Sequence, residues 1–316
     1  MLRKMISMLL VLSMLLLPAA LAEGETARVG ALKGPTAMGL VQMMKDKADD
    51  YAFTLAAAPD ELVPLLVKGE LDVAAVPANL GAVLYNNTQG AVRVLAINTL
   101  GVLYIVERGD TVHAVSDLKG RTLVSAGKGS TPEYALNYIL RGNGLDPESD
   151  LTIEFKSEHA ECLAAMLQDD SVVAMLPQPF ATVAQAKAED IRIALDLTQE
   201  WDALQAGVES PSTMITGVAV ARADFVDEHP EAVEQFMADY AESVKFVQED
   251  VDGAAQLIGE FDIFEAGPAK KALPYCNITF ITGEEMHALL GGYLAELFNQ
   301  DPASVGGTLP GEDFYY

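Results

Sequence analysis

The sequence predicts an α/β protein of two similar lobes, each a mostly parallel sheet flanked by helices, with a ligand cleft between them. Three observations carry this expectation. A helix-then-strand unit occurs twice, one hundred residues apart, a strand-to-helix turn recurs in the same order, and apolar strands alternate with amphipathic helices.

The elements follow in chain order. In "MLRKMISMLLVLSMLLLPAALAEGE", Arg3 and Lys4 precede an apolar run from Met5 to Leu17, and Pro18 and Ala-Leu-Ala precede Glu23. This is the anatomy of an export signal over residues 1–22, cleaved after Ala22. The run is shorter than the roughly 20 residues that span a bilayer, and no later segment is long enough, so no transmembrane helix is expected. Glu23 rather than a cysteine stands directly after Ala22, so a lipid-anchored start is not expected either.

"RVGALKGPTAMGLVQMM", Arg28 to Met44, passes from an apolar strand through a Gly-Pro-Thr turn into a helix. Such a turn leaves backbone N–H groups at the helix start, where a small polar ligand can be held. Gly34, Pro35 and Thr36 are therefore candidate ligand contacts, Gly34 for close backbone approach and Thr36 for its hydroxyl. From Asp60, Leu62, Leu65 and Leu66 recur at helical spacing, Gly69 closes the helix, Leu71 to Val76 reads as a strand and Pro77 ends it. Asn79 lies just beyond.

Two adjoining apolar strands follow in "VRVLAINTLGVLYIVERGD", with Asn98 and Thr99 beside the expected passage between lobes. In "TLVSAGKGSTPEYALNYIL" the turn recurs, Lys128-Gly129 matching Lys33-Gly34. Ser130 and Glu133 fit a capping box, whereas Thr131 before Pro132 fits a cap with proline at the first helical position, so Ser130 and Thr131 can cap, bind, or do both. The helix-strand unit then repeats from Ala160: Leu163, Met166 and Leu167, a strand over Ser171 to Leu176, and Pro177. Glu61, Val73, Ala74 and Pro77 match Glu161, Val173, Ala174 and Pro177. Gln178 and Asn79 thus stand at equivalent strand ends, where an amide can meet a polar solute or tie its own loop.

The chain is expected to return to the first lobe at "SPSTMITGVAVARADF", with a strand from Ile215 to Ala221 and with Thr213, Thr216 and Gly217 near the crossing. This gives lobe one over residues 23–106 and 213–316 and lobe two over 107–212. Residues at such crossings serve hinge and cleft floor together, which makes Asn98, Thr99, Thr213, Thr216 and Gly217 further candidates. Two closing helices follow. One carries Val233, Phe236, Met237, Tyr240, Val244 and Val247 on a stripe; the other opens with Thr282 and Glu285 in capping-box spacing and carries Met286, Leu289, Leu290, Tyr293 and Leu297.

Composition narrows the function. Of 316 residues, 20 are Lys or Arg and 46 Asp or Glu, a formal charge of −26 that argues against nucleic acid and anionic membrane surfaces as partners. The four histidines are scattered, and no HExxH, CxxC or GxSxG occurs. Neither an enzyme, a metal nor a cofactor is expected. Cys162 and Cys276 read as two buried thiols rather than a disulfide, and the single Trp201 reads as a core residue more readily than a stacking platform.

"KGPTAMGL", "GKGSTPEYALNYIL", "KSEHAEC", "AMLPQPFAT", "ALPYCNITFI" and the closing "VGGTLPGEDFYY", taken with the export signal, resemble the extracytoplasmic solute-binding proteins of ABC importers. The branch is the one similar to nitrate, sulfonate, taurine and thiamine-precursor receptors. The resemblance implies a type II periplasmic-binding-protein fold and a receptor that closes on one small solute and delivers it to a permease with its ATPase; a monomer is expected. A sensory receptor passing the same closure to a membrane signalling protein is the alternative.

Overall fold

The computed structural model describes residues 27–208 and 211–316. The export signal expected over 1–22 lies outside the described residues.

Two sheets form. The first contains β1 (Ala27–Leu32), β2 (Tyr51–Ala56), β3 (Val73–Pro77), β4 (Val92–Leu100), β10 (Ile215–Arg222) and β11 (Ile278–Ile281), in the order β11-β4-β10-β3-β1-β2. The second contains β5 (Leu103–Arg108), β6 (Thr122–Ala126), β7 (Thr152–Lys156), β8 (Val172–Pro177) and β9 (Ile191–Asp196), in the order β7-β6-β8-β5-β9. The repeat in the sequence is therefore a repeat in space. β2-β1-β3 and β7-β6-β8 are both parallel triplets, and each is followed by one antiparallel strand, β10 beside β3 and β5 beside β8.

Parallel neighbours need a crossover helix, which places each return on a sheet face and buries the central strands from both sides. β3 and β8 show this directly: Val73 to Val76 and Val172 to Pro177 are buried without alternation. The crossovers are α1 (Pro35–Met38), α2 (Val41–Asp46), α3 (Pro59–Val67) and α4 (Ala78–Asn87) in lobe one, and α5 (Thr131–Gly142), α6 (His159–Gln168) and α7 (Phe180–Lys187) in lobe two. α8 (Leu197–Gln205) leads back to lobe one, which is completed by α9 (Ala223–Glu228), α10 (Pro230–Glu249), α11 (Val251–Glu260), α12 (Ala266–Ala272) and α13 (Gly283–Gln300).

The passage between lobes differs from the sequence expectation. β5 pairs with β8 and β9, so the chain leaves the first sheet at Gly101-Val102 rather than after residue 106. At Gly101 two other segments of the chain pass close by: a Cβ there would lie 2.1 Å from Thr198 Oγ1 and 2.5 Å from Met214 Cε. The two expected capping boxes are absent as drawn. Ser130 and Thr282 are N-caps without a side-chain cap bond, and Glu133 Oε2 instead accepts from Gly129 N at 2.6 Å.

Three apolar clusters hold the fold. One lies in lobe one under α10 and α11, and one lies in lobe two around Cys162 and Met166. The third spans both lobes and contains Trp201, fully buried, with its ring centroid 4.2 Å from Tyr138 and 5.2 Å from Tyr293. Its Nε1 donates to Ser212 Oγ at 3.1 Å. Trp201 is thus a core residue that joins the lobes. Cys162 and Cys276 are buried free thiols in separate clusters.

Candidate ligand-binding cleft

Because the strands of each triplet are parallel, the turns that follow them gather at one edge of each sheet. All six such turns, three per lobe, line a single cavity of 380 Å³, a volume within the range of small-molecule sites.

Lobe one contributes Lys33 to Thr36, Ala57 to Pro59, and Pro77. Gly34 has φ 125° and ψ −157°, a backbone that side chains resist, while a Cβ would touch nothing within 4 Å. Conformation, not space, demands glycine here. Thr36 Oγ1 donates to Leu32 O at 2.9 Å, and Lys33 Nζ pairs with Asp262 Oδ2 at 2.7 Å.

Lobe two contributes Gly127, Ser130 to Pro132, Ser157 to Ala160, and Pro177 to Phe180. Ser130 Oγ donates to Gly127 O at 2.8 Å, and Thr131 donates both its N–H and its hydroxyl to Asn79 Oδ1, at 2.9 and 3.2 Å. Gln178, nearly fully buried, accepts at Oε1 from Thr182 N (3.3 Å) and Oγ1 (2.8 Å). The Gln178-Pro179 peptide bond is cis. Val102, Leu103 and Thr216 complete the floor, with the Thr216 hydroxyl donating to Leu100 O at 2.5 Å.

Aromatic rings close one side. Phe180 of lobe two meets Phe264, from the loop between α11 and α12 of lobe one, edge-on with centroids 5.1 Å apart. The ring of His159, at the start of α6, has its centroid 5.7 Å from that of Phe180. Its Nδ1 is buried without a partner, and burial holds its pKa well below the usual imidazole range, at about 4. A buried lone pair is tolerated better than a buried N–H, so we assign the proton of the neutral ring to Nε2.

The shift has a sign that can be measured. The folded state resists protonation, so the His159 contribution to stability is expected to be fully present well above pH 6.5 and to fall by about 2–3 kcal/mol as the pH drops from 6.5 to about 4. His159→Gln is expected to lose that part of the slope, read from urea midpoints of both proteins across the interval. Equal slopes would show that His159 contributes nothing to it.

Seven of the residues singled out in the sequence line this cavity: Gly34, Pro35, Thr36, Ser130, Thr131, Gln178 and Thr216. Asn79, Asn98, Thr99, Thr213 and Gly217 stand outside its lining. Asn79 spends its amide inside the protein, accepting from Thr131 and donating to Ser304 O at 3.0 Å. Asn98 and Thr99 are buried in β4, where the Thr99 hydroxyl donates to Asn98 Oδ1 at 3.1 Å. Gly217 sits behind the wall, where a Cβ would come within 2.7 Å of Thr36 Cγ2 and 2.4 Å of Asn98 Oδ1. Thr213 precedes β10 in the return segment.

His159, Ser157, Phe180 and Phe264 line the cavity without having been singled out as ligand contacts. The hundred-residue repeat carries the signal for the first two, because it sets Ser157 and His159 opposite Ala57 and Pro59. Lys128 is directed elsewhere, to a 480 Å³ depression lined by lobe two alone, where its Nζ lies 5.8 Å from the Phe155 ring centroid. Among the described residues no group of His, Cys, Asp and Glu is arranged to hold a metal ion, and no helix is long and apolar enough to cross a membrane.

Comparison with known proteins agrees with this architecture. An ABC transporter structure from Parabacteroides distasonis superposes with a TM-score of 0.77 at 22% identity, covering 92% of this chain and 99% of the other. The periplasmic aliphatic sulphonate binding protein SsuA of Escherichia coli gives 0.71 at 17% identity, covering 92% and 91%. The periplasmic nitrate-binding protein NrtA of Synechocystis PCC 6803 gives 0.57 at 16%, covering 74% and 65%. At these identities the likeness establishes the fold, a two-lobed periplasmic binding protein. No curated protein matches the chain. A family model, however, matches residues 39–270: this chain belongs to the family described as ABC transporter, phosphonate, periplasmic substrate-binding protein.

Proposed function

We propose that this chain captures one small polar molecule by closure of its lobes and delivers it to the permease of an ABC importer. The observation that carries the reading is the meeting of six strand-to-helix turns, three from each lobe, on one cavity. A molecule held there touches both walls only when the lobes are together, so it favours the closed arrangement. We place the hinge at Gly101-Val102 and at residues 206–208 and 211–214, in the two passages between the sheets that divide lobe one from lobe two. Residues 1–22 serve as the export signal. The cavity is complete within one chain, which supports a monomeric receptor. Gly34, Pro35, Thr36, Ser130, Thr131, Gln178 and Thr216 are the proposed contacts; Asn79, Asn98, Thr99, Thr213 and Gly217 hold those contacts and the hinge in place.

A thermal-shift screen with phosphonates, sulfonates, nitrate, pyrimidines, amino acids and polyamines tests this. A bound solute at one hundred times its Kd is expected to raise stability by about 2.7 kcal/mol. Thr36→Ala combined with Thr131→Ala is expected to abolish the shift while leaving the circular dichroism unchanged. A shift that survives the double substitution would move the site elsewhere.

A further inference from the structure

The walls of the cleft offer little free positive charge to a compact oxyanion. Among the described residues lining it, Lys33 is the only Lys or Arg, and its ammonium is held by Asp262 at 2.7 Å. Glu158 adds a negative charge to the facing wall. Backbone N–H groups at helix starts are the other common cradle for an anion, but in lobe two the protein's own acceptors take up four of those beside the cleft. Gly129 N donates to Glu133 at 2.6 Å, Thr131 N to Asn79 at 2.9 Å, Ser157 N to Glu161 at 2.9 Å and Thr182 N to Gln178 at 3.3 Å. Acidic side chains also stand in the first turns of α3, α5 and α6, where they already offset the positive ends of those helices.

What the cleft offers instead is flat and apolar. Phe180 and Phe264, one from each lobe, meet edge-on, and the His159 ring lies beside Phe180. Both phenyl rings are half-buried, so a face remains for a guest. Aromatic rings favour planar partners in offset or edge contacts, at separations like those seen here. Leu103, Val102 and the prolines at the strand ends continue the apolar surface.

Resting on the receptor reading above, we infer that the solute is an uncharged aromatic or heteroaromatic molecule. Its ring packs against Phe180 and Phe264, and one of its acceptor atoms receives a hydrogen bond from His159 Nε2. The two phenylalanines belong to different lobes, so a ring resting against both links ligand shape to closure.

Two panels at 1 mM, read by thermal shift and then by calorimetry, test the assignment: uncharged rings (indole, nicotinamide, cytosine, benzamide) and oxyanions (methylphosphonate, ethanesulfonate, nitrate). The expected result is stabilisation by a member of the first panel alone, with a Kd that changes less than twofold between 50 and 500 mM NaCl, because an uncharged guest has no field for salt to screen. Phe264→Leu, which keeps apolar bulk but removes the ring, is expected to raise that Kd about tenfold, and His159→Leu about tenfold. Stabilisation by oxyanions alone would overturn the aromatic assignment and leave the receptor reading standing. Stabilisation by neither panel would also overturn the aromatic assignment, while the receptor reading would fall only if the wider screen above gave no shift either. A Kd unchanged in Phe264→Leu would overturn the ring contact even where an uncharged solute binds.

Discussion

Trp201→Ala is expected to destabilise the protein by about 3–5 kcal/mol, the usual range for removing a large aromatic side chain from a packed core. The side chain is fully buried, packs against the tilted rings of Tyr138 and Tyr293, and donates its indole N–H to Ser212. Tyr138 belongs to α5 of lobe two and Tyr293 to α13 of lobe one, so the void would open where the lobes are joined. Surrounding helices can collapse onto it only by shifting one lobe against the other. Equilibrium unfolding in urea measures the loss, and a decrease below about 1 kcal/mol would show that this shared cluster is not what couples the lobes. Trp201→Phe, which keeps an aromatic plane but loses the hydrogen bond, is expected to fall between.

Asn79→Ala is expected to cost about 2–4 kcal/mol, more than its size suggests. The side chain is 1% exposed, and its amide ties three places together: α4, where it resides, Ser304 near the C-terminus, and the start of α5 in the opposite lobe. Removing it leaves the Thr131 N–H and the Ser304 carbonyl buried without partners, at about 1–3 kcal/mol each. The same change cuts a tie between the lobes beside the proposed ligand contact Thr131, so a more open ensemble is expected. Solution scattering reads this as a larger radius of gyration in the variant, and an unchanged radius would confine Asn79 to a stabilising role.

Much of this was legible in the sequence because the physics that produced it is local. Pro77 and Pro177 mark strand ends whatever surrounds them, and glycine at position 34 reports a backbone that other residues resist. The repeat of those signals one hundred residues apart was enough to expect two sheets and a shared edge. The position of β5 was not legible. Val92 to Arg108 reads as two adjoining apolar strands, and nothing in that run says that the second pairs with β8 and β9 instead of continuing the first sheet. Pairing partners are chosen by tertiary packing, which periodicity does not encode. Phe264 was out of reach for a similar reason: it stands 84 positions after Phe180, in a loop without a periodic pattern, and only the packing of α12 against lobe two brings the rings together. Asn79 was noticed for its amide, yet its partners, Thr131 and Ser304, lie 52 and 225 positions away.

The placement of β10 between β3 and β4 constrains how this chain can be assembled in time. A polypeptide emerging N-terminus first has made β1 to β4 long before β10 exists, so β4 cannot join its neighbours until more than a hundred further residues have appeared. Lobe two, by contrast, is contiguous and can condense as soon as it is out. The early strands must therefore wait with unpaired edges, a state prone to sticking to other chains. Contacts of such long sequence separation also slow the closing step. The order of emergence thus makes the first-synthesised lobe the last to finish.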